Sequence, residues 1–260
     1  MYKFLKILLT LIFILLSICG IFLLKPLLDE TTTPVVPYKT PVTYYKDERN
    51  GIYLALFAGR ELEFNYFPKN PKDIRAVADT NKYEVAINGM FFSGRFDNAN
   101  PVGLLQINGS VLTDHEWVTQ LSHIIVYNNK SRTIEFLTYD KVKNGNYKGT
   151  EYTLVQTGPL ILNKNQTATK FINAAKNGNG LHFRTVLGKT DKNEIFFLVT
   201  TKEYSLNELA VQIKLIEPLQ NRVVSAINLD GGSSTSIYTK ECKEFCFREG
   251  FKRAFVVGVK

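Results

Sequence analysis

The chain has 260 residues, 45% of them hydrophobic and 22% charged, which excludes a disordered, collagenous or low-complexity protein. There is room for a membrane segment plus one sizeable domain. Lysine and arginine number 32 against 24 acids, for a net charge of +8; Lys3 and Lys6 carry two of these, leaving +6 on the remainder. Scattered lysines at that density suit anionic ligands but form no nucleic-acid-binding tail, so no nucleic-acid partner is expected.

Ile7 to Leu24 is uncharged and interrupted only by Thr10, Ser17 and Gly20. As a helix it rises roughly 27 Å, close to the hydrocarbon thickness of a bilayer. Lys3 and Lys6 precede it, which places the N-terminus in the cytoplasm and everything after Leu24 across the membrane. No A-x-A-like cleavage site follows, so the expectation is an uncleaved anchor over residues 1–24. Cys19 follows Leu16-Ser17-Ile18, where Ile18 is a poor fit to a lipidation site, and it reads as a membrane residue. Residues 25–50 hold Pro26, Pro34, Pro37, Pro41 and three consecutive threonines, a composition that favours an extended tether.

From Ile52 the texture changes to short apolar runs separated by Asn, Gly and Asp. Strands are predicted at Ile52–Phe57, Glu61–Phe67, Tyr83–Asn88, Gly103–Ile107, Ser122–Val126, Thr133–Leu137 and Leu154–Gln156, with turns at Asn108-Gly109 and Asn128-Asn129. Without repeats or a second linker, residues 51–260 read as one domain. Further on, Glu194–Thr201 is a strand, Ser205 with Glu208 is a capping box, and Leu206, Leu209, Ala210, Ile213 and Ile216 recur at helical spacing up to Pro218. Val223–Leu229 is a second apolar strand. Strand, helix, strand predicts a βαβ unit with the two strands parallel and their ends on one edge, which places Thr201, Lys202 and Glu203 beside Asp230. The expected fold class is α+β: a single domain with a mixed β-sheet and a C-terminal βαβ unit, preceded by one transmembrane helix.

Asp230-Gly231-Gly232-Ser233-Ser234-Thr235-Ser236 is the sharpest local signal. A carboxylate at the end of a buried strand meets two glycines that let backbone approach a ligand, then four hydroxyl residues. It lacks the lysine and the spacing of a nucleotide-binding loop. By itself this segment is equally readable as an ordinary Asx turn. Cys242 and Cys246 form a close pair, expected to be oxidised in an exported domain. His115, His123 and His182 have no metal-ligand spacing to that pair, so no metal or other cofactor is expected. Asp114, His115, Glu116 and Trp117 make a polar-aromatic run whose spacing specifies no chemistry.

Five blocks in order carry a resemblance: Ile87-Asn88-Gly89-Met90-Phe91-Phe92, Pro101-Val102-Gly103-Leu104, Gln156-Thr157-Gly158-Pro159-Leu160, His182-Phe183-Arg184-Thr185-Val186-Leu187-Gly188 and Asn228-Leu229-Asp230-Gly231-Gly232-Ser233-Ser234. Together they resemble the phosphodiester glycosidase family, in particular its bacterial branch of exported envelope proteins. The resemblance implies cleavage of a sugar C1–O bond to a phosphodiester oxygen. That chemistry asks for a carboxylate facing an oxocarbenium-like carbon and a cationic clamp on the phosphate. Asp230 is the first candidate for the carboxylate and Glu203 the second. Arg184, through its guanidinium fork, is the candidate clamp, with His182 two residues away on the same face. Asn88, Gln156, Thr157 and Gly158, with Gly231, Gly232, Ser233 and Ser234, are the expected pocket residues, while Phe91 and Phe92 read as core. The implied partner is a sugar-1-phosphodiester or envelope glycan, met outside the membrane to which the N-terminal segment anchors the chain. A non-catalytic glycan-binding or exopolysaccharide assembly factor is the competing reading. Cleavage of the P–O bond is a third, but it calls for a metal cluster.

Overall fold

The computed structural model describes residues 39–94, 98–113, 118, 121–241 and 245–260. The expected membrane segment Ile7–Leu24 lies outside them, as do Cys242 and the run Asp114 to Trp117; among the described residues no helix is long and apolar enough to cross a membrane.

Three sheets surround one apolar core. A seven-stranded sheet runs, in spatial order, Thr43–Asp47, Ile52–Phe57, Ile195–Thr200, Thr185–Thr190, Val223–Asn228, Leu160–Asn163 and Gln166–Thr167. A five-stranded sheet is ordered Thr133–Leu137, His123–Asn128, Tyr152–Thr157, Leu105–Ile107 and Ser110–Thr113. A four-stranded sheet is ordered Ile237–Thr239, Val85–Asn88, Phe255–Val259 and Leu62–Tyr66. The inner faces meet in a cluster that includes Phe57, Phe64, Ile87, Ile125, Tyr127, Phe197, Ile227 and Val257. Each outer face is covered by helix: Ile74–Asn81 on the four-stranded sheet, Tyr139–Asn144 on the five-stranded one, and Thr169–Ala174 with Leu206–Leu215 on the seven-stranded one.

This layering explains the unbroken apolar runs. In Ile52–Phe57 the alternate residues Ile52, Leu54 and Leu56 face the helices, while Ala55 and Phe57 face the central core. Both sides of the strand are dry, so no polar alternation survives. Strands stop where the backbone must turn sharply: Asn108 and Gly109 both have positive φ between paired Ile107 and Ser110. The helix Leu206–Leu215 begins with the expected box, the Ser205 hydroxyl oxygen accepting from the Glu208 N–H while the Glu208 carboxylate accepts from the Ser205 N–H. Leu206, Leu209, Ala210 and Ile213 are its buried stripe.

Two expectations change. The first concerns the tether: Thr43–Asp47 pairs residue by residue with Ile52–Phe57 as the edge strand of the large sheet. Its Tyr44 and Tyr45 pack on the two clusters that flank that sheet, so burial of aromatic side chains outweighs the local proline content. The second concerns the sheet, which is not mixed: every strand pairing among the described residues is antiparallel, including both sides of Thr185–Thr190. That strand forms a hairpin with Ile195–Thr200 through a turn in which Asn193 has φ +57. The helix therefore crosses over the hairpin, and the third strand docks beyond it, not beside the strand it left. Strands Ile195–Thr200 and Val223–Asn228 still run the same way, being both antiparallel to the one between. Their ends consequently share an edge, and on that edge the chain enters Thr185–Thr190 from Arg184.

Candidate active site

At this edge lies a cavity of about 330 Å³. Asp230, Gly231 and Gly232 line it, with Asn228, Arg184 and His182; Phe91, Phe92, Val102, Val118, Leu121, Pro159 and Leu206 supply apolar wall. Val186 is the register partner of Asn228, so Arg184 and Asn228 project from the same face of the sheet, the face that the helices cover further along. The cavity opens where the helical cover begins, at Leu206.

The Asp230 turn is held from three directions. The Asp230 N–H donates to the Gly89 carbonyl, and the Asn88 side-chain amide donates to the Asp230 carbonyl at 2.7 Å. The Gly232 N–H donates to the Phe183 carbonyl at 2.8 Å. Gly231 passes so close to that carbonyl that an added Cβ would lie 2.7 Å from it, so a side chain there would push the turn off the neighbouring strand. Gly232 adopts φ +61, which an L side chain rarely takes.

Burial pushes the Asp230 carboxyl up to about 6. Hydrogen bonds from the Ser234 hydroxyl and the Gly231 N–H, and the positive charge of Arg253, act against that rise without cancelling it. A carboxyl poised near neutrality is suited to exchanging a proton or attacking carbon at ordinary pH. Arg253 is itself buried, at 3% exposed, and its Nε donates to the Ser236 hydroxyl, which in turn donates to the Ser234 carbonyl. A buried cation is thus wired through Ser236 to Ser234, the carboxylate's own hydrogen-bonding partner.

Arg184 is placed in the wall but is engaged. It is 4% exposed, its Nε donates to the Tyr204 carbonyl, and its Nη2 donates to the carbonyls of Asn177 and Gly180. One edge of the guanidinium therefore staples the segment 177–180 to the sheet edge, and only Nη1 has no protein partner among the described residues. A bidentate grip on phosphate is not available in this arrangement. Burial lowers its pKa to about 10, which leaves it charged at neutral pH. His182 lines the cavity, its backbone paired with Tyr204.

The remaining expected residues divide. Asn88 is 1% exposed and its oxygen accepts from the Thr185 hydroxyl and the Ser236 N–H, so it ties the Asp230 turn to two sheets and does not line the cavity. Gln156, fully buried, accepts from the Leu104 N–H and donates to the carbonyls of Val118 and Leu121, which sets the wall. The Thr157 hydroxyl donates to the Asn228 carbonyl, and Gly158 lines the cavity beside it. Ser234 reaches the carboxylate, whereas Ser233 is exposed and outside the lining. Glu203 shares the edge but is exposed and does not line the cavity. Phe91 and Phe92, read as core, are wall residues. The Cys246 sulfur accepts from the Thr239 N–H; Cys242, its expected partner, lies outside the described residues. Among the described residues no cluster of histidine, cysteine or acid could hold a metal.

Sequence reasoning passed over Arg253 and the Asn228 side chain. An arginine two residues before the apolar run Phe255–Val259, and an amide closing the buried strand Val223–Asn228, were the signals available.

Comparison with known proteins gives this geometry a setting. A sequence model described as phosphodiester glycosidase matches residues 81–255, a span that contains the cavity residues named above. No curated protein matches the sequence. Among solved structures, the catalytic domain of zebrafish N-acetylglucosamine-1-phosphodiester alpha-N-acetylglucosaminidase, auto-inhibited by its pro-peptide, superposes with a TM-score of 0.60 at 15% identity, over 88% of this chain and 85% of that one. A hypothetical protein from Synechocystis gives 0.56 at 12% identity over 84% of this chain and 61% of that one. An exported protein from Burkholderia pseudomallei gives 0.56 at 10% identity over 80% and 73%. At these identities the likeness is one of fold.

Proposed function

Since the chain belongs to the phosphodiester glycosidase family, we propose that it hydrolyses a sugar-1-phosphodiester, breaking the glycosyl C1–O bond and releasing sugar and a phosphomonoester. The observation that carries this reading is Asp230, a carboxyl raised to about 6 on the cavity wall at a sheet edge. In the proposed reaction the Asp230 carboxylate faces the anomeric carbon, as nucleophile or as the base that takes a proton from water. The C1–O electron pair leaves with the phosphate oxygen, and the oxygen of water ends on C1. The departing phosphate is already a stable anion, so a strong general acid is not required. Arg184 supports the reaction by its positive charge and by holding segment 177–180, and Nη1 is the donor left for a phosphate oxygen.

The proposal extends to location: residues 7–24 anchor the chain and the domain faces the periplasm or cell exterior, where it meets an envelope glycan or glycolipid. The uncharged composition of Ile7–Leu24 and the two lysines before it support this. Incubating the protein with alkyl diesters of N-acetylglucosamine-1-phosphate and identifying the products tests the reaction. Free sugar is expected. Sugar phosphate would mean P–O cleavage, and binding without turnover would mean a glycan-binding module.

A further inference from the structure

The cavity is small for the ligand proposed. Ligand pockets run from about 300 to 1,000 Å³, and this one, at about 330 Å³, is at the low end. A glycosyl phosphodiester bearing an aglycone therefore extends past its rim. Arg248 stands there, half-buried, outside the lining but one hydrogen bond from it: its Nη1 donates to the carbonyl of Gly232, a lining residue, at 3.1 Å. Its guanidinium carbon lies 4.5 Å from the centroid of the Phe183 ring and 4.9 Å from that of Phe247, both within cation–π range. The backbone beneath is fixed as well. Phe247 and Ile237 exchange N–H···O bonds in both directions, and the Glu249 carbonyl accepts from the Arg75 N–H. These contacts hold the guanidinium in place yet consume only Nη1. Nε and Nη2 have no hydrogen-bond partner among the described residues and, unlike Nη2 of Arg253, they are not buried. Together they form one edge of the guanidinium fork, the kind of edge that takes two oxygens of one phosphate.

We propose that Arg248 is the phosphate-binding residue of the site, its Nε–Nη2 edge donating to two non-bridging oxygens of the phosphodiester while the sugar lies in the cavity toward Asp230. This rests on the proposed hydrolysis of a sugar-1-phosphodiester. Arg184 presents the opposite case, since its own Nε–Nη2 edge is spent on the carbonyls of Tyr204, Asn177 and Gly180. Lys176 also lines the cavity, but it is exposed and offers a point charge on a flexible stem, without a fork. The chain from Asp230 to Gly232 spans at most about 7 Å, which keeps carboxyl and fork within reach of one sugar and its phosphate. Breaking the C1–O bond leaves the electron pair on the phosphate oxygen, so a diester with one negative charge becomes a monoester with a second. A cation at this place therefore gains in strength as the bond breaks.

The test uses the full chain, wild type and Arg248→Lys, with the ethyl diester of N-acetylglucosamine-1-phosphate as substrate. The variant keeps the charge and loses the two-pronged grip, so kcat/KM should fall roughly tenfold to a hundredfold. Calorimetric binding of ethyl phosphate, the product anion, should weaken by a similar factor, while binding of free N-acetylglucosamine stays unchanged. Equal losses for sugar and anion would make Arg248 a structural residue and overturn the proposal. So would an unaltered affinity for ethyl phosphate, with the loss appearing in Lys176→Gln instead. The wild type alone gives a further check that needs no variant to fold: it should bind the charged diester at least about tenfold more tightly than the neutral methyl triester made from it. Equal affinity for the two would sink the proposal. The same measurements keep it apart from the hydrolysis. Diester binding that Arg248→Lys weakens, without sugar release by the wild type, defeats the hydrolysis and keeps the phosphate contact; sugar release that Arg248→Lys leaves untouched does the reverse.

Discussion

The two faces of the seven-stranded sheet are built by the same strands and end differently. On the inner face Leu187, Phe197, Val199 and Ile227 run into the central core, and Leu229 continues that face past the strand end, still buried. On the outer face Val186, Leu198 and Ala226 lie beneath Leu206–Leu215, and the next positions along that face are Arg184 and Asn228, which line a cavity. The inner face packs against the two other sheets. The outer face is closed by Leu206–Leu215 with the shorter helix Thr169–Ala174, and a helix begins somewhere. The cavity occupies the place where a finite cover runs out over a sheet that continues, and Arg184 is tolerated there because backbone carbonyls take up its donors.

Substitutions on the two faces should separate accordingly. The largest effect is expected at the cavity. Asp230→Asn should lower kcat for sugar release on the order of a thousandfold, about 4 kcal/mol of transition-state stabilisation. A steady-state assay with near-normal kcat would remove Asp230 from the mechanism. On the inner face, Phe197→Ala should cost about 3–5 kcal/mol of stability by opening a cavity in the core, while the surviving folded molecules keep their kcat. Chemical denaturation alongside active-site titration checks this, and a fall in kcat would mean that the two faces are mechanically coupled.

Acidity sharpens the contrast. The Asp230 carboxyl is raised from 3.8 to about 6, so the folded chain binds its proton more tightly than the unfolded chain. Its contribution to stability is present below about pH 4 and is lost as pH rises through about 6, a swing of up to about 3 kcal/mol. His123 acts in the opposite direction: burial lowers it from 6.5 to about 4, so its contribution is present above 6.5 and lost as pH falls toward 4. The difference between wild type and Asp230→Asn isolates the first effect. The variant's melting temperature should exceed the wild type's at pH 8, and the gap should close toward pH 4. Activity that needs the carboxylate should rise through about pH 6 and level off; a profile flat from 5 to 8 would point to another group.

Arg184→Gln should lower turnover by roughly tenfold to a hundredfold, because it removes both a charge and the staple on segment 177–180. Its signature is faster hydrogen exchange in residues 177–180, and unchanged exchange there would contradict the stapling role. The smallest effect concerns the cysteines. If Cys246 pairs with Cys242, reduction opens a very short loop and should cost roughly 2 kcal/mol or less, read as a small drop in melting temperature with kcat intact.

How much of this was legible beforehand depended on how local the cause was. Residues of Ile52–Phe57, Thr133–Leu137 and the capped helix after Ser205 carry their own periodicity and turn chemistry, and these elements lie where the residues place them. The order of blocks from Ile87 to Ser234 marked the family, and Asp230 was readable as a carboxylate between a buried strand and two glycines. Arg184 was misjudged in use though not in place. A guanidinium's type predicts what it could hold, but the carbonyls of Asn177, Gly180 and Tyr204 that already occupy it come from a loop and a neighbouring strand end. Asn88 and Gln156, expected as pocket residues, are buried and take partners from other elements, which their local sequence does not show.

The sequence by itself determined the elements whose stability is local: the capped helix, the hairpin turns at positive φ, the strands dry on both faces and the Asp-Gly-Gly turn. Tertiary structure alone decided that Thr185–Thr190 inserts between the strands of the expected βαβ unit, where it pairs as a hairpin with Ile195–Thr200 on one side and with Val223–Asn228 on the other. It also decided that Thr43–Asp47 joins the sheet, because Tyr44 and Tyr45 find apolar surface only once the other strands have assembled. The acidity of Asp230 belongs to the same class. A carboxyl's pKa rises with the water it loses, and that loss is set by walls that arrive from residues as distant in sequence as Phe91 and Arg253.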